Sequence, residues 1–147
     1  MAKPYVLLLG ACAEHGLLVR KALRGLDVDF VQMTDTDDGL VHLTRALLDS
    51  EPPEAALVLL AEPAPGVALG QLERFRGDSV ARGVPVIVCN ILTDCCHGEH
   101  AVHCQQADAC VQTRNTECFV VRLAEAMRRL LFPDRYETLD SPPPPKP

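Results

Sequence analysis

Short apolar runs recur along the chain and predict five β-strands. The runs are 5-YVLLL-9, 28-VDFVQM-33, 57-LVLL-60, 84-VPVIVC-89 and 109-ACVQ-112. Continuous apolar runs of this length are typical of strands that are covered on both faces, as in a parallel sheet. The third run ends at Ala61 and is followed by a proline-rich turn, so it predicts a buried strand with a sharp end at one edge of the sheet.

The stretches between these runs have helical spacing of their apolar residues. They predict helices at about Glu14 to Arg24, from Asp37 or Asp38 as N-cap to about Asp49, in a short stretch closing near Gly77, weakly at about Cys96 to Gln106, and at about Glu117 to Leu131. In the last of these, Leu123 and Met127 lie on the apolar stripe, whereas Phe119 is predicted to lie off it and to be exposed. Strands that alternate with helices of this length predict an α/β fold with helices on both faces of a parallel sheet.

The end of the chain has a different composition. The tail from Pro133 on ends in 141-SPPPPKP-147 and has almost no apolar content after Leu139. We therefore predict one domain over residues 1–132 and a disordered, extended polyproline tail over residues 133–147. The simpler interpretation of this tail is an inert extension, and the alternative is a docking motif for an aromatic groove.

Charge and length exclude several classes of function. The chain has 147 residues and a net charge of −6, and it shows no basic patch of the kind that phosphate binding needs, which argues against nucleic acid as a partner. No run approaches the roughly 20 apolar residues of a membrane span. The motif 9-LGAC-12 resembles a lipoprotein cleavage box, but the apolar run before it is shorter than the roughly 7–15 residues of a signal peptide. We expect a cytoplasmic protein.

Cofactor sites are not evident. The loop 10-GACAEHG-16 lacks the Gly-Lys-Ser/Thr ending of a P-loop and the hydroxyls that a flavin phosphate would need. No Ser/His/Asp order indicates a hydrolase. We therefore expect no enzyme activity and no organic cofactor.

Seven cysteines are many for this length. Their odd number and their positions within apolar segments favour reduced thiols over a disulfide framework. Cys12 stands beside a predicted helix N-terminus, which favours a thiolate, although an idle thiol is the simpler interpretation.

The segment 95-CCHGEHAVHC-104 is rich in potential metal ligands. On a helix, Cys96, His100 and Cys104 would share one face, with His97 beside it, and thiolate and imidazole groups suit Zn²⁺ or another late transition metal. Gly98 weakens such a helix, and no CxxC pair is present. A surface helix with histidines outward is the simpler interpretation, and a metal- or redox-responsive sensor is the alternative.

Four motifs in order along the chain resemble response-regulator receiver domains, which are flavodoxin-like. They are 38-DGLVHL-43, 61-AEPAP-65, 85-PVIVCN-90 and 110-CVQTRNTECF-119. The Thr-Arg-Asn of the last motif is similar to stand-alone receivers that partner bacterial phytochromes. The resemblance implies a (βα)5 fold with strand order 2-1-3-4-5, and a signalling partner such as a sensor kinase or a phytochrome-like receptor.

The resemblance also implies which residues would carry phosphorylation, and all of them are replaced. The acidic pair that holds magnesium falls at Gly10 and Ala11, the phosphate-accepting aspartate at Ala61, the hydroxyl at Asn90, and the lysine at Gln112 or, with a one-residue slip, Thr113. Magnesium needs carboxylate oxygens, and a phosphoryl group needs a cation and a hydroxyl donor. We therefore predict a pseudo-receiver, a protein–protein interaction module that takes no phosphate.

Receivers of this kind often pair through the fourth helix, fifth strand and fifth helix. On that face the resemblance places His100, Cys110, Phe119 and Arg122, among other residues. An exposed phenylalanine beside polar residues suits an interface anchor. We expect a homodimer through this face.

Overall fold

The computed structural model describes residues 3–10, 13–61, 67–91, 107–113 and 115–133. Its elements in chain order are β1 (Tyr5–Leu9), α1 (Ala13–Ala22), β2 (Asp29–Met33), α2 (Thr36–Leu47), β3 (Ala56–Leu60), α3 (Val67–Arg76), a 3₁₀ turn (Ala81–Gly83), β4 (Val86–Ile91), β5 (Ala109–Thr113) and the C-terminal helix (Thr116–Leu131). The strands form one parallel sheet in the order β2-β1-β3-β4-β5. The predicted fold class and strand order are confirmed, and the helix predicted at about Cys96 to Gln106 lies outside the described residues.

Each central strand contributes to two hydrophobic cores. Side chains alternate between the faces of a strand, so Val6 and Leu8 of β1 pack with α1 and the C-terminal helix, whereas Leu7 and Leu9 pack with α2 and α3. All five residues of β1 are buried. Burial on both faces explains why the strand reads as a continuous apolar run.

The prediction that Phe119 is exposed is wrong. Its side chain is 0% exposed and packs in the core between the C-terminal helix and the sheet. Phe119 precedes Leu123 by four residues and Met127 by eight, which places the three on one face of a helix with 3.6 residues per turn. The apolar stripe therefore includes Phe119, contrary to the prediction, and Phe119 cannot anchor an interface.

The start of α2 also differs from the prediction. Asp35, rather than Asp37 or Asp38, is the N-cap: its backbone is extended, and its carboxylate accepts a hydrogen bond from the backbone N–H of Asp38 at 2.9 Å. The C-terminal helix begins in the same way, with the side chain of Asn115 accepting from the N–H of Cys118 at 3.0 Å. Both caps satisfy N–H groups that have no partner within the helix.

The C-terminal helix ends at Leu131, with Phe132 as its C-cap. Residues 134–147 lie outside the described residues, so the predicted tail stays a prediction. In the part of the chain that the structure describes, no helix is long and apolar enough to cross a membrane.

Candidate functional site

The carboxyl ends of the strands bring four of the five predicted phosphorylation positions to one edge of the sheet. Leu9 of β1 is in register with Leu60 of β3, so Gly10 and Ala61 follow side by side. Further along the same edge, Asn90 of β4 is in register with Gln112 of β5. Ligands of open parallel sheets bind at this edge. Ala11 lies outside the described residues.

Gly10 and Ala61 are packed closely against each other. A Cβ atom placed on Gly10 would lie 3.1 Å from the Cβ atom of Ala61, which is closer than side chains normally approach. Backbone hydrogen bonds hold both residues in place, with the N–H of Gly10 donating to the carbonyl of Met33 and the N–H of Ala61 donating to that of Leu9. Ala61 is only 3% exposed. A Cβ atom at Gly10 would therefore need Ala61 to shift by a few tenths of an ångström.

A neutral amide stands beside Gly10. The Nε2 group of Gln32, on β2, donates a hydrogen bond to the carbonyl of Gly10 at 3.1 Å. The same amide lies against Gly16 of α1, where any Cβ atom would collide with the Gln32 side chain. Gln32 thus links the end of β1 to the first turn of α1. Sequence reasoning missed it, and the available signal was a glutamine within the apolar run 28-VDFVQM-33.

The carboxylates described near this edge are engaged at helix ends or exposed. Asp35 caps α2, and Asp37 forms an ion pair with Arg74 of α3 at 3.1 Å. Glu14 is exposed at the start of α1. Within the described ranges, no group of three or more His, Cys, Asp or Glu side chains could hold a metal ion.

Among the residues that the structure describes, His15 and Gln112 near the edge have buried polar atoms without a hydrogen-bond partner. Both ring nitrogens of His15 and the Nε2 atom of Gln112 are buried without one. The His15 ring meets the ring of Phe119 edge-on, with 6.2 Å between ring centroids. Burial lowers the pKa of His15, although the nearby Glu14 carboxylate acts in the opposite direction. Burial therefore disfavours the positively charged form of this imidazole.

The cysteines correct one prediction. Cys110 of β5 is disulfide-bonded, so the expectation of reduced thiols is wrong at this position. Of the other described cysteines, Cys89 and Cys118 are free. Burial raises the pKa of the Cys89 thiol to about 12, which leaves it protonated and unreactive.

The other predicted sites are only partly described. Arg122 is exposed and Cys110 is half-buried, and Phe119 has been placed in the core. Cys12 and the whole segment 95–104, with Cys96, His97, His100 and Cys104, lie outside the described residues. The metal hypothesis and the predicted dimer face therefore stay predictions.

No family model and no curated protein sequence matches the chain. Several solved structures are similar to the chain in fold. The Mn²⁺-bound form of the response regulator Rcp1 is 18% identical with a TM-score of 0.65, covering 87% of this chain and 94% of that one. The phosphorylated cyanobacterial phytochrome response regulator RcpA is 16% identical with a TM-score of 0.62, covering 90% and 96%. The receiver domain of a Pseudomonas aeruginosa sensor histidine kinase, with magnesium in its active site cleft, is 17% identical with a TM-score of 0.60, covering 88% and 98%.

These similarities define the class of fold. The chain has the fold of a response-regulator receiver domain, as its motifs predicted. The structures that share this fold include regulators associated with phytochromes. At this level of identity, the similarity establishes the fold, and the function has to be argued from the site.

Proposed function

We propose that the protein is a pseudo-receiver, which takes no phosphoryl group and acts as a protein–protein interaction module in bacterial signal transduction. The observation that carries the proposal is that Gly10 and Ala61 stand side by side at the edge where receivers bind metal and accept phosphate. Neither residue has an oxygen-bearing side chain, and Ala61 is 3% exposed.

The surface of α1 supports a role in protein binding. Leu17 is 64% exposed and lines a groove together with Glu14, Leu18, Arg20, Lys21 and Arg24. The chain as a whole carries a net charge of −6. An exposed leucine in a groove with three cations and one carboxylate, on an otherwise acidic protein, suits a partner with an apolar side chain in an acidic surface.

A signalling protein such as a sensor kinase or a phytochrome-like receptor is the partner we propose, in the cytoplasm. The similarity to the regulator RcpA, described as a phytochrome response regulator, supports this choice. A homodimer remains part of the proposal, but its interface has to be built without Phe119. The metal- or redox-responsive sensor remains the alternative, with its residues outside the described ranges.

Magnesium should not change the thermal stability of the protein. A ligand raises the unfolding midpoint only when it binds the native state, and the described edge offers no carboxylate pair for Mg²⁺. We expect the same midpoint, by differential scanning calorimetry, in millimolar MgCl₂ and in EDTA with the ionic strength matched by NaCl. A midpoint that rises and saturates with MgCl₂ would show a metal site and contradict the proposal.

A further inference from the structure

The amino-terminal edge of the sheet carries a cavity that the pseudo-receiver role does not use. Its volume is about 500 Å³, and it is open to solvent. The lining residues come from the starts of β1 and β2, the second half of α2 and the chain before β3: Lys3, Tyr5, Asp29, Phe30, Val31, His42, Ala46, Asp49, Glu51 and Pro53. The cavity therefore lies at the end of the sheet opposite to Gly10 and Ala61.

Two stacked rings form one wall of this cavity. The rings of Tyr5 and His42 lie nearly parallel, with 5.8 Å between ring centroids, and the Tyr5 hydroxyl is 2.6 Å from Nδ1 of His42. Tyr5 is buried beneath His42, which is exposed. The hydrogen bond fixes the exposed imidazole on the rigid start of β1. Flat, preformed aromatic surfaces of this kind bind polyproline segments with little loss of entropy.

The described chain ends at the same edge. The C-terminal helix begins three residues after the end of β5 and runs back along the sheet. Phe132, just after the helix, packs against the same core cluster as Leu26, Val28 and Ala55, which precede β2 and β3. The last described residue, Pro133, therefore lies at the edge that holds the cavity.

We propose that the chain's own proline-rich segment, residues 141–147, docks into the cavity against the stacked His42 and Tyr5 rings. Pro142 is nine residues beyond Pro133, and at roughly 3.1 Å per residue an extended chain spans about 28 Å in that distance. This length allows the segment to pass around the edge from the face of the C-terminal helix to the face of α2.

The charges of segment and cavity are complementary. The lining includes three carboxylates, Asp29, Asp49 and Glu51. Its one cation, Lys3, already forms an ion pair with Asp27 at 3.2 Å. The segment 141-SPPPPKP-147 carries a single charged side chain, that of Lys146. A lysine beside the prolines therefore meets an acidic rim, which orients the segment without adding a buried charge.

The test compares amide ¹H–¹⁵N NMR spectra of the full chain with those of a full-chain variant carrying Pro142→Ser, Pro143→Ser, Pro144→Ser and Pro145→Ser. We expect the amides of Lys3, His42 and Glu51 to shift, while those of Gly10 and Gln112 at the opposite edge stay in place. His42→Ala should abolish the difference between the proline and serine forms at the other cavity amides. Val41→Ala, at an exposed neighbour on the same helix that does not line the cavity, should preserve it.

Three outcomes would overturn the proposal. The first is that the cavity amides have the same chemical shifts in the proline form and in the serine form. The second is that His42→Ala leaves the difference in chemical shift between the two forms unchanged. The third is that this difference in chemical shift grows with protein concentration, which would assign the cavity to the tail of a second copy. Lys146→Gln should reduce the shifts more at low salt than at high salt, since exposed ion pairs are screened.

Discussion

Phe119→Asp is expected to unfold the protein. The Phe119 ring is fully buried among the C-terminal helix, α1 and the sheet. Truncating a buried phenylalanine to alanine typically costs about 3–5 kcal/mol, and an unpaired carboxylate in the same place costs more. Domains of this size have roughly 5–15 kcal/mol of stability in total. We expect loss of the cooperative thermal transition, measured by circular dichroism.

Val121→Asp is the matched control, two residues further along the same helix. Val121 is 59% exposed, and exposed substitutions usually change stability by less than about 0.5 kcal/mol. Its melting curve should follow that of the wild type. A Phe119→Asp protein that melts like the Val121→Asp protein would place the phenylalanine at the surface in solution and restore it as an interface candidate.

Ala61→Asp is expected to destabilise the domain without creating a phosphorylation site. Ala61 is 3% exposed and faces the same core cluster as Phe119, so the new carboxylate loses water and gains no described cation. Burial of a polar group without compensation costs about 1–3 kcal/mol in proteins, and a charged group costs more. The free energy of unfolding, measured by urea titration, should fall accordingly.

Ala61→Asn separates the charge from the shape. Asparagine has nearly the same volume as aspartate, so both variants place a polar side chain in the same buried position, and only the aspartate also carries a negative charge. We expect the asparagine variant to be the more stable of the two at neutral pH. Equal stability of Ala61→Asp and the wild type would show that the side chain at position 61 is open to solvent, which would contradict its burial.

The strands could be predicted from the sequence because both of their faces are buried. In β1 and β3 nearly every residue is apolar, so the pattern identifies the element without knowledge of its neighbours. Helix starts were harder to predict, because Asp35, Asp37 and Asp38 are all good N-caps and local geometry selects among them. Phe119 and Val120 are adjacent and both apolar, so the sequence does not show which of them continues the stripe of Leu123 and Met127. In the structure Phe119 is buried and Val120 is only partly buried.

The candidate site was predicted through the resemblance, and the strand register brings Gly10 next to Ala61 and Asn90 next to Gln112. The closeness of Gly10 to Ala61 could not be predicted, because it depends on how two strands 51 residues apart in sequence approach each other. The same holds for the link from Gln32 to Gly10 and for the stacking of Tyr5 on His42. Contacts between distant segments have no local pattern that a single sequence could reveal.

Intact-mass measurement after incubation with a small-molecule phosphodonor and Mg²⁺ tests the central claim most directly. The regulator RcpA, whose phosphorylated form is known, serves as the positive control for the donor. We predict that the wild-type protein and Ala61→Asp both keep their unmodified masses while the control gains one phosphoryl group. A gain of one phosphoryl group by the wild-type protein would contradict the assignment of a pseudo-receiver.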